Sequence, residues 1–197
     1  MRTTGASIGQ MSRGAEGNRW VFGYGSLIWR PGFPFLHSEV ALLQGAHRSL
    51  CVYSHRHRGT KEQPGLVFGL VRGGSCRGMA FEVSDADWPE VHAYLQEREQ
   101  DTAVYREAIR PVRLGNGTIV PALAFLVNET HAQFAGRLSP AEQVRMVRVG
   151  QGESGANIDY VLNTVQHLHA LGIRDRQLEQ LAALLAPEAL LEAGSEG

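Results

Sequence analysis

A series of short apolar runs, separated by Gly, Pro and charged residues, fills the first two thirds of this 197-residue chain. Each run has the length and the residue types of a β-strand. The runs lie at residues 20–22, 49–53, 66–71, 79–83, 105–114 and 119–127. The last two flank Gly115-Asn116-Gly117, and Asn-Gly between two strand-like runs predicts a hairpin.

Helical signals lie after the fourth run and again beyond residue 138. Ser84 begins a capping-box-like pattern, which predicts a helix over 84–100. Ser139-Pro140 predicts a second helix start, and apolar spacing predicts helices over 157–171 and from 175 to about 191. Because the strands and helices do not alternate regularly, we expect an α+β fold, with a small, mixed, closed sheet and flanking helices.

Length and composition favour one soluble domain over residues 19–191, with polar, disordered tails at 1–18 and 192–197. The net charge of -1 does not favour nucleic acid or an anionic membrane as a partner. No window approaches the roughly 18 apolar residues of a membrane span, and residues 1–18 lack the apolar run of a signal peptide. Because Cys51 and Cys76 lie outside any CxxC pattern, we expect reduced thiols and a cytoplasmic protein.

A glycine-rich loop, Gly23-Tyr24-Gly25-Ser26, follows the first predicted strand. Two glycines let the backbone turn sharply and approach a ligand closely, and a concave run of N–H groups can hold a carboxylate or an oxyanion. The segment alone is equally compatible with a β-turn that binds nothing. A dinucleotide loop is disfavoured because Ile28 stands in place of the third glycine, and a nucleophilic Ser26 because no GxSxG motif surrounds it.

The apolar stripe of the helix predicted over 84–100 ends in a carboxylate. Helical spacing places on one face Trp88, Val91, His92, Leu95 and Glu99. Burial and the C-terminal end of the helix dipole would both raise the pKa of Glu99, as a general base working near neutral pH requires. The alternative is a solvated glutamate paired with Arg98.

Two histidines and two arginines follow Ser54 as His55-Arg56-His57-Arg58. The histidines are two residues apart, with no nearby acidic or Cys ligand and no HExxH motif. We therefore expect a basic loop here, no metal site and no cofactor.

The segment 21–29, Val-Phe-Gly-Tyr-Gly-Ser-Leu-Ile-Trp, resembles the opening of the ChaC-type γ-glutamylcyclotransferases, which are specific for glutathione. Four further blocks resemble the family in the same order and at compatible spacing, so that the resemblance covers roughly residues 20–185. They are Arg48 with Ser54, His57-Arg58-Gly59-Thr60 and Pro64-Gly65; Gly78-Met79-Ala80-Phe81; Tyr94-Leu95, Arg98-Glu99 and Tyr105; and Ser154-Gly155, Asn157 and Asp159-Tyr160.

The resemblance implies a small mixed barrel and a lyase that converts glutathione to 5-oxoproline and Cys-Gly without a cofactor. It implies that Glu99 is the catalytic acid/base. The γ-glutamyl group is expected to bind the loop residues Val21, Phe22, Gly23, Tyr24, Gly25 and Ser26. Tyr105 and Tyr160 are either residues that orient the substrate or core aromatics. Arg48 and Arg58 either bind a substrate carboxylate or are structural.

The chain departs from the family pattern at two places. Residues 100–104 lack the glycines common in the family, and Leu66 stands where many members have Arg. Both departures concern the substrate more than the reaction type. Two alternatives therefore stay open. The protein could cleave other γ-glutamyl amino acids or γ-glutamyl amines, or it could bind a γ-glutamyl or other anionic ligand without catalysis. The sequence predicts no oligomeric state.

Overall fold

The computed structural model describes residues 18–100 and 103–186. Within them, five strands form a closed barrel in the order β1-β3-β2-β4-β5, and parallel pairing of β1 with β5 completes it. The strands are β1 (Arg19–Gly23), β2 (His37–Ser54), β3 (Gly65–Val83), β4 (Tyr105–Leu114) and β5 (Ile119–Val127). The helices are α1 (Trp88–Gln100), α2 (Pro140–Val149), α3 (Asn157–Ala170) and α4 (Arg176–Leu185). The predicted α+β fold around a closed sheet is confirmed.

Three short elements lie between these. A 3-10 helix, η1 (Ser26–Ile28), follows β1, and the two-residue strands β6 (Gln151–Gly152) and β7 (Gly155–Ala156) form a separate pair before α3. The sequence predicts none of the three, because each is too short to show a periodic pattern.

Strand β3 joins two runs that the sequence predicts as separate strands, residues 66–71 and 79–83. The Gly-rich segment between them stays paired with β2, whose register shifts between Gln44 and Ala46. Gly45, Gly73 and Gly74 have φ values of 85°, 91° and 70°, in the left-handed region that favours glycine. The glycines therefore form an irregular stretch of one long ribbon, and the predicted break is wrong.

The hairpin of β4 and β5 has the predicted bounds. The Leu114 N–H donates to the Thr118 carbonyl at 2.8 Å and the Gly117 N–H donates to the Leu114 carbonyl at 3.0 Å. Gly117 takes a φ of 90°, which explains why a glycine follows Asn116 in this turn.

Helix α1 begins at Trp88 and not at Ser84, because residues 85–87 form a turn. The Ser84 hydroxyl still accepts from the Asp87 N–H at 3.1 Å, so that it closes the turn that leads into the helix. Ser139 forms the predicted capping box with Glu142 at the start of α2. The predicted end of α4 near residue 191 and both predicted tails, except Asn18, lie outside the described residues.

Helices α1 and α3 pack on different parts of the barrel. Val91 and Leu95 of α1 are buried in a cluster with Val21 and Phe81 of the strands, whereas α3 contacts η1 and β3. Near the end of α1, Arg98 contacts the loop after β1 at Ser26, and near the start of α3, Tyr160 lies beside Gly25 of the same loop. No described helix combines the length and the apolar character that crossing a membrane requires.

Candidate active site

A cavity of about 390 Å³ lies beside the loop that follows β1. Its walls come from this loop, the loop after β2, strands β3, β4 and β5, helices α1 and α3, and the turn between β6 and β7. Among its lining residues are six that the sequence predicts for the site: Tyr24, Gly25, Ser26, Glu99, Tyr105 and Tyr160. The volume is within the range of small-molecule sites.

Three other predicted residues do not line this cavity. The side chains of Val21 and Phe22 are fully buried in the core. A Cβ on Gly23 would lie 3.0 Å from Leu27 Cβ and 3.1 Å from a ring carbon of Phe81. Glycine at 23 thus lets the loop return closely over the strand. Substrate contact by these three residues stays a prediction.

Gly25 lies where the loop passes α3. Its carbonyl accepts from the Ile28 N–H at 3.0 Å, which starts η1. A Cβ at this position would be 3.4 Å from the Tyr160 hydroxyl and 3.7 Å from Phe68 Cβ. Any side chain longer than a methyl group would therefore enter the space beside Tyr160.

Glu99 lies in the last turn of α1 and faces the cavity, as the helical spacing predicts. Its side chain is 16% exposed and its Oε1 lies 3.5 Å from Arg98 Nε. Burial raises the pKa of the Glu99 carboxyl above its ordinary value, and the positive charge of Arg98 partly opposes this shift. The direction of this shift makes Glu99 a stronger proton acceptor than an exposed glutamate, as a general base requires.

Arg98 connects α1 to the loop after β1. Its Nη2 donates to Ser26 Oγ at 2.9 Å, and its Nη1 donates to the Tyr94 hydroxyl at 2.7 Å. Nη1 also reaches the carbonyls of Arg30 and Pro31, at 2.9 and 3.2 Å. The sequence does not predict this network. The available signal was the spacing of Tyr94 and Arg98, one helical turn apart on one face.

Tyr105 and Tyr160 bind the two backbone groups of Phe68 in β3. The Tyr105 hydroxyl donates to the Phe68 carbonyl at 2.8 Å, whereas the Tyr160 hydroxyl accepts from the Phe68 N–H at 3.2 Å. Burial is the largest cause that raises the pKa of each phenol, so both stay protonated at neutral pH. The Tyr160 hydroxyl proton is donated to no residue in the described chain, and it is therefore available to a ligand.

Arg48 is structural. Its side chain is 3% exposed, and it does not line the cavity of the loop after β1. Its Nε donates to the Tyr24 carbonyl, its Nη1 to Asp175 Oδ2 at 3.0 Å and its Nη2 to the Arg77 carbonyl at 2.7 Å. The residue holds Tyr24 from behind the loop, and the structure thus favours the second of the two roles that the sequence leaves open.

Arg58 does line the cavity, together with His57. Its Nη1 donates to the Ser154 carbonyl at 2.6 Å, and its guanidinium carbon lies 5.2 Å from the centroid of the Tyr160 ring. His57 Nδ1 lies 3.0 Å from Ser154 Oγ. The basic loop predicted after β2 is thus part of the cavity wall.

Within residues 18–100 and 103–186, no group of three or more His, Cys, Asp or Glu residues has a geometry that could hold a metal ion. Burial raises the pKa of the Cys51 thiol to about 11 and also raises that of Cys76. Both cysteines are buried free thiols. They are uncharged at neutral pH and therefore weak nucleophiles.

A family model and the similar proteins of known name agree with one another. The family model described as ChaC-like protein matches residues 19–187. The glutathione-specific γ-glutamylcyclotransferase of Escherichia coli (strain K12) is 31% identical over 166 residues, which cover 84% of this chain and 72% of that protein. Glutathione-specific γ-glutamylcyclotransferase 1 of Danio rerio is 33% identical over 153 residues, which cover 76% and 78%.

A crystal structure of the yeast γ-glutamylcyclotransferase specific to glutathione has the same fold. It superposes with a TM-score of 0.79 at 22% identity and covers 86% of this chain and 96% of that one. The family match over most of the chain, with relatives above 30% identity, decides the assignment. The chain belongs to the ChaC-like protein family.

Proposed function

We propose that this protein is a glutathione-specific γ-glutamylcyclotransferase, a lyase that forms 5-oxoproline and Cys-Gly. The observation that carries the proposal is that the Glu99 carboxyl lines the same cavity as Tyr24, Gly25 and Ser26. The proton-transfer group and the glycine-rich loop therefore meet at one site of suitable size. The names of the E. coli and Danio rerio relatives support glutathione as the substrate.

The reaction is an internal transfer. The α-amine of the γ-glutamyl group attacks the carbonyl carbon of its own side-chain amide, so that a C–N bond forms and a five-membered lactam closes. The C–N bond to cysteine then breaks. In all, the attacking nitrogen loses two protons as it passes from ammonium to lactam, and the leaving nitrogen gains two and departs as an ammonium. Atoms and charge balance without water. The protein has to relay these protons, hold the chain curled and stabilise a tetrahedral oxyanion.

Glu99 takes the ammonium proton and returns it to the leaving nitrogen. A carboxylate of ordinary pKa is a weak base for an ammonium, and the raised pKa of Glu99 reduces this mismatch. General acid/base catalysis of this kind contributes about 10²–10⁴-fold to the rate. The ion pair with Arg98 keeps a share of Glu99 ionised despite burial.

The loop and the tyrosines position the substrate. The backbone N–H groups of the loop hold the curled γ-glutamyl group, while Val21, Phe22 and Gly23 support the loop from the core. The Tyr160 hydroxyl, which accepts from the Phe68 N–H, donates its own proton to the oxyanion. The Tyr105 hydroxyl donates its proton to the Phe68 carbonyl. The lone pairs of its oxygen can therefore accept a hydrogen bond from the substrate ammonium. A good oxyanion donor contributes about 3–4 kcal/mol.

We further infer one domain over residues 19–191 and a cytoplasmic location. The family match over residues 19–187 supports the first. Two buried cysteines that are both free thiols support the second, since unpaired cysteines are usual in a reducing compartment.

Product analysis in H₂¹⁸O tests the proposed reaction. We expect purified protein to convert glutathione into equal amounts of unlabelled 5-oxoproline and Cys-Gly, as measured by mass spectrometry. Release of glutamate carrying ¹⁸O would show hydrolysis and would contradict the internal transfer. A parallel panel of γ-glutamyl amines and γ-glutamyl amino acids separates the glutathione-specific enzyme from a broader one, and binding without any turnover would indicate a binding protein.

A further inference from the structure

Two arginines besides Arg98 line the cavity, Arg58 from the loop after β2 and Arg30 after η1. They are close enough to affect one another. Burial lowers the pKa of Arg58, and the charge of Arg30 lowers it further, whereas Tyr160 and Asp159 act in the opposite sense. Placing two like charges in one partly buried space is unfavourable unless an anion lies between them.

The Arg58 guanidinium is held in a fixed orientation. Nη1 donates to the carbonyls of Ser154 and Ala156, at 2.6 and 3.3 Å, and the planar group lies over the Tyr160 ring. The Arg58 backbone N–H donates to Ser54 Oγ at 3.0 Å, which fixes the loop itself. In the described chain, Nε and Nη2 of Arg58 donate to no acceptor. The edge of the guanidinium that carries these two nitrogens is therefore free to bind a carboxylate.

The charges along the described cavity wall are unequal. Three arginines and one carboxylate, Glu99, line it, and Arg98 is already engaged with Glu99 and with the loop after β1. Arg30 and Arg58 are the cations left for a ligand. Glutathione carries two carboxylates and one ammonium, whereas a γ-glutamyl amine carries one of each. The surplus of positive charge fits the peptide.

The length of the substrate separates its two ends. Two residues lie between the reacting carbonyl of glutathione and its terminal carboxylate, a span of about 7 Å when extended. The reacting group sits at Glu99 in the proposed function. The terminal carboxylate then has to meet a different part of the wall, and the free edge of Arg58 offers the matching chemistry.

We propose that Arg58, assisted by Arg30, binds the C-terminal carboxylate of the γ-glutamyl peptide and so selects peptides over γ-glutamyl amines. This inference rests on the proposed function, of which it specifies the substrate class. The site is built for a carboxylate because a guanidinium binds it through two parallel hydrogen bonds. Arg58 is a specificity residue and takes no part in proton transfer.

The test compares the kinetics of wild type and Arg58→Gln on two substrates. One is glutathione, and the other is the glycine amide, which is glutathione with its C-terminal carboxylate converted to an uncharged amide. We expect wild type to lose about 10–100-fold in kcat/KM on going from glutathione to the amide, as loss of a charged hydrogen bond predicts. Arg58→Gln should lose a similar factor with glutathione and little with the amide. Arg58→Lys, which keeps the charge, should restore part of the preference, and Lys61→Gln, an exposed basic residue of the same loop, should behave as wild type.

Equal losses by Arg58→Gln on both substrates would overturn the proposal, because Arg58 would then bind the γ-glutamyl end or support the fold. Unchanged kinetics on both would overturn it as well. Thermal unfolding of each variant identifies a folding defect. If no γ-glutamyl compound is turned over, the proposed function fails, and calorimetry with the same two ligands and variants still decides whether Arg58 recognises the terminal carboxylate.

Discussion

Arg98 Nη2 donates a hydrogen bond of 2.9 Å to Ser26 Oγ. The residue next to Glu99 on α1 is thus tied directly to the glycine-rich loop. The same guanidinium lies 3.5 Å from the Glu99 carboxylate. One side chain therefore sets the position of the loop and influences the protonation of Glu99, and substitution should affect both.

Replacing Arg98 should change the pH dependence as well as the rate. Arg98→Met removes the charge that opposes the raised pKa of Glu99, so the acid limb of kcat/KM should move to higher pH. The loosened loop should also lower kcat about 10–100-fold. Arg98→Lys keeps a positive charge but cannot donate to Tyr94 and Ser26 through two separate nitrogens. It should therefore show the lower kcat with an acid limb close to that of wild type, and an unmoved limb in Arg98→Met would refute the coupling.

Burial of Glu99 should cost stability where its carboxyl is ionised. Because its folded pKa lies above the ordinary value of 4.5, the stability of wild type should fall as pH rises through 4.5 and on through the folded pKa. Glu99→Gln lacks this loss. At pH 7 the variant should melt higher, by roughly 2–4 °C for each 1 kcal/mol removed, and the two proteins should melt alike at acid pH. Equal melting temperatures at both pH values would argue against a cost of burying the ionised Glu99 carboxylate.

The two tyrosines should differ in their kinetic effects. Tyr160→Phe removes the hydroxyl whose proton is free, and kcat should fall about 10²-fold if it serves the oxyanion. It also leaves the Phe68 N–H without its acceptor, at a cost of about 1–2 kcal/mol in the free energy of unfolding. Tyr105→Phe removes a donor to the Phe68 carbonyl and should lower kcat less. Steady-state kinetics beside urea unfolding separate the two effects, and an unchanged kcat in Tyr160→Phe would exclude it as the donor.

Arg48 should affect stability and not substrate recognition. Arg48→Met removes one buried and two partly buried hydrogen bonds and the ion pair with Asp175, which should cost about 3 kcal/mol in unfolding free energy. At a temperature where the variant is folded, its relative preference for glutathione over the glycine amide should equal that of wild type. A selective loss with glutathione would mean that Arg48 contacts the substrate.

The sequence predicts elements whose signals are local. The turn at Asn116-Gly117 and the cap at Ser139 led to correct bounds for β4, β5 and the start of α2. The sequence does not predict the continuity of β3, because its Gly-rich middle resembles a turn, and it does not predict the first half of β2. Pairing between distant segments holds them in the sheet, and only the folded chain shows it.

The candidate site was predictable to the same extent. The helical spacing correctly predicts that Glu99 faces the interior, because the apolar stripe of α1 alone shows which face of the helix is buried. The hydrogen bonds of Arg98 to the loop and the contact of Arg58 with Ser154 span 72 and 96 residues. Such contacts form only when the barrel closes. The sequence therefore indicates these arginines as candidates but does not predict which residues they contact.

The kinetics of Glu99→Gln beside Glu97→Gln test the central claim most directly. Both changes remove one carboxylate from the last turns of α1, but Glu97 is exposed and lies outside the cavity. With glutathione as substrate and 5-oxoproline measured by mass spectrometry, Glu99→Gln should lose about 10²–10⁴-fold in kcat, and Glu97→Gln should match wild type. Normal turnover by Glu99→Gln would contradict the assignment of Glu99 as the acid/base.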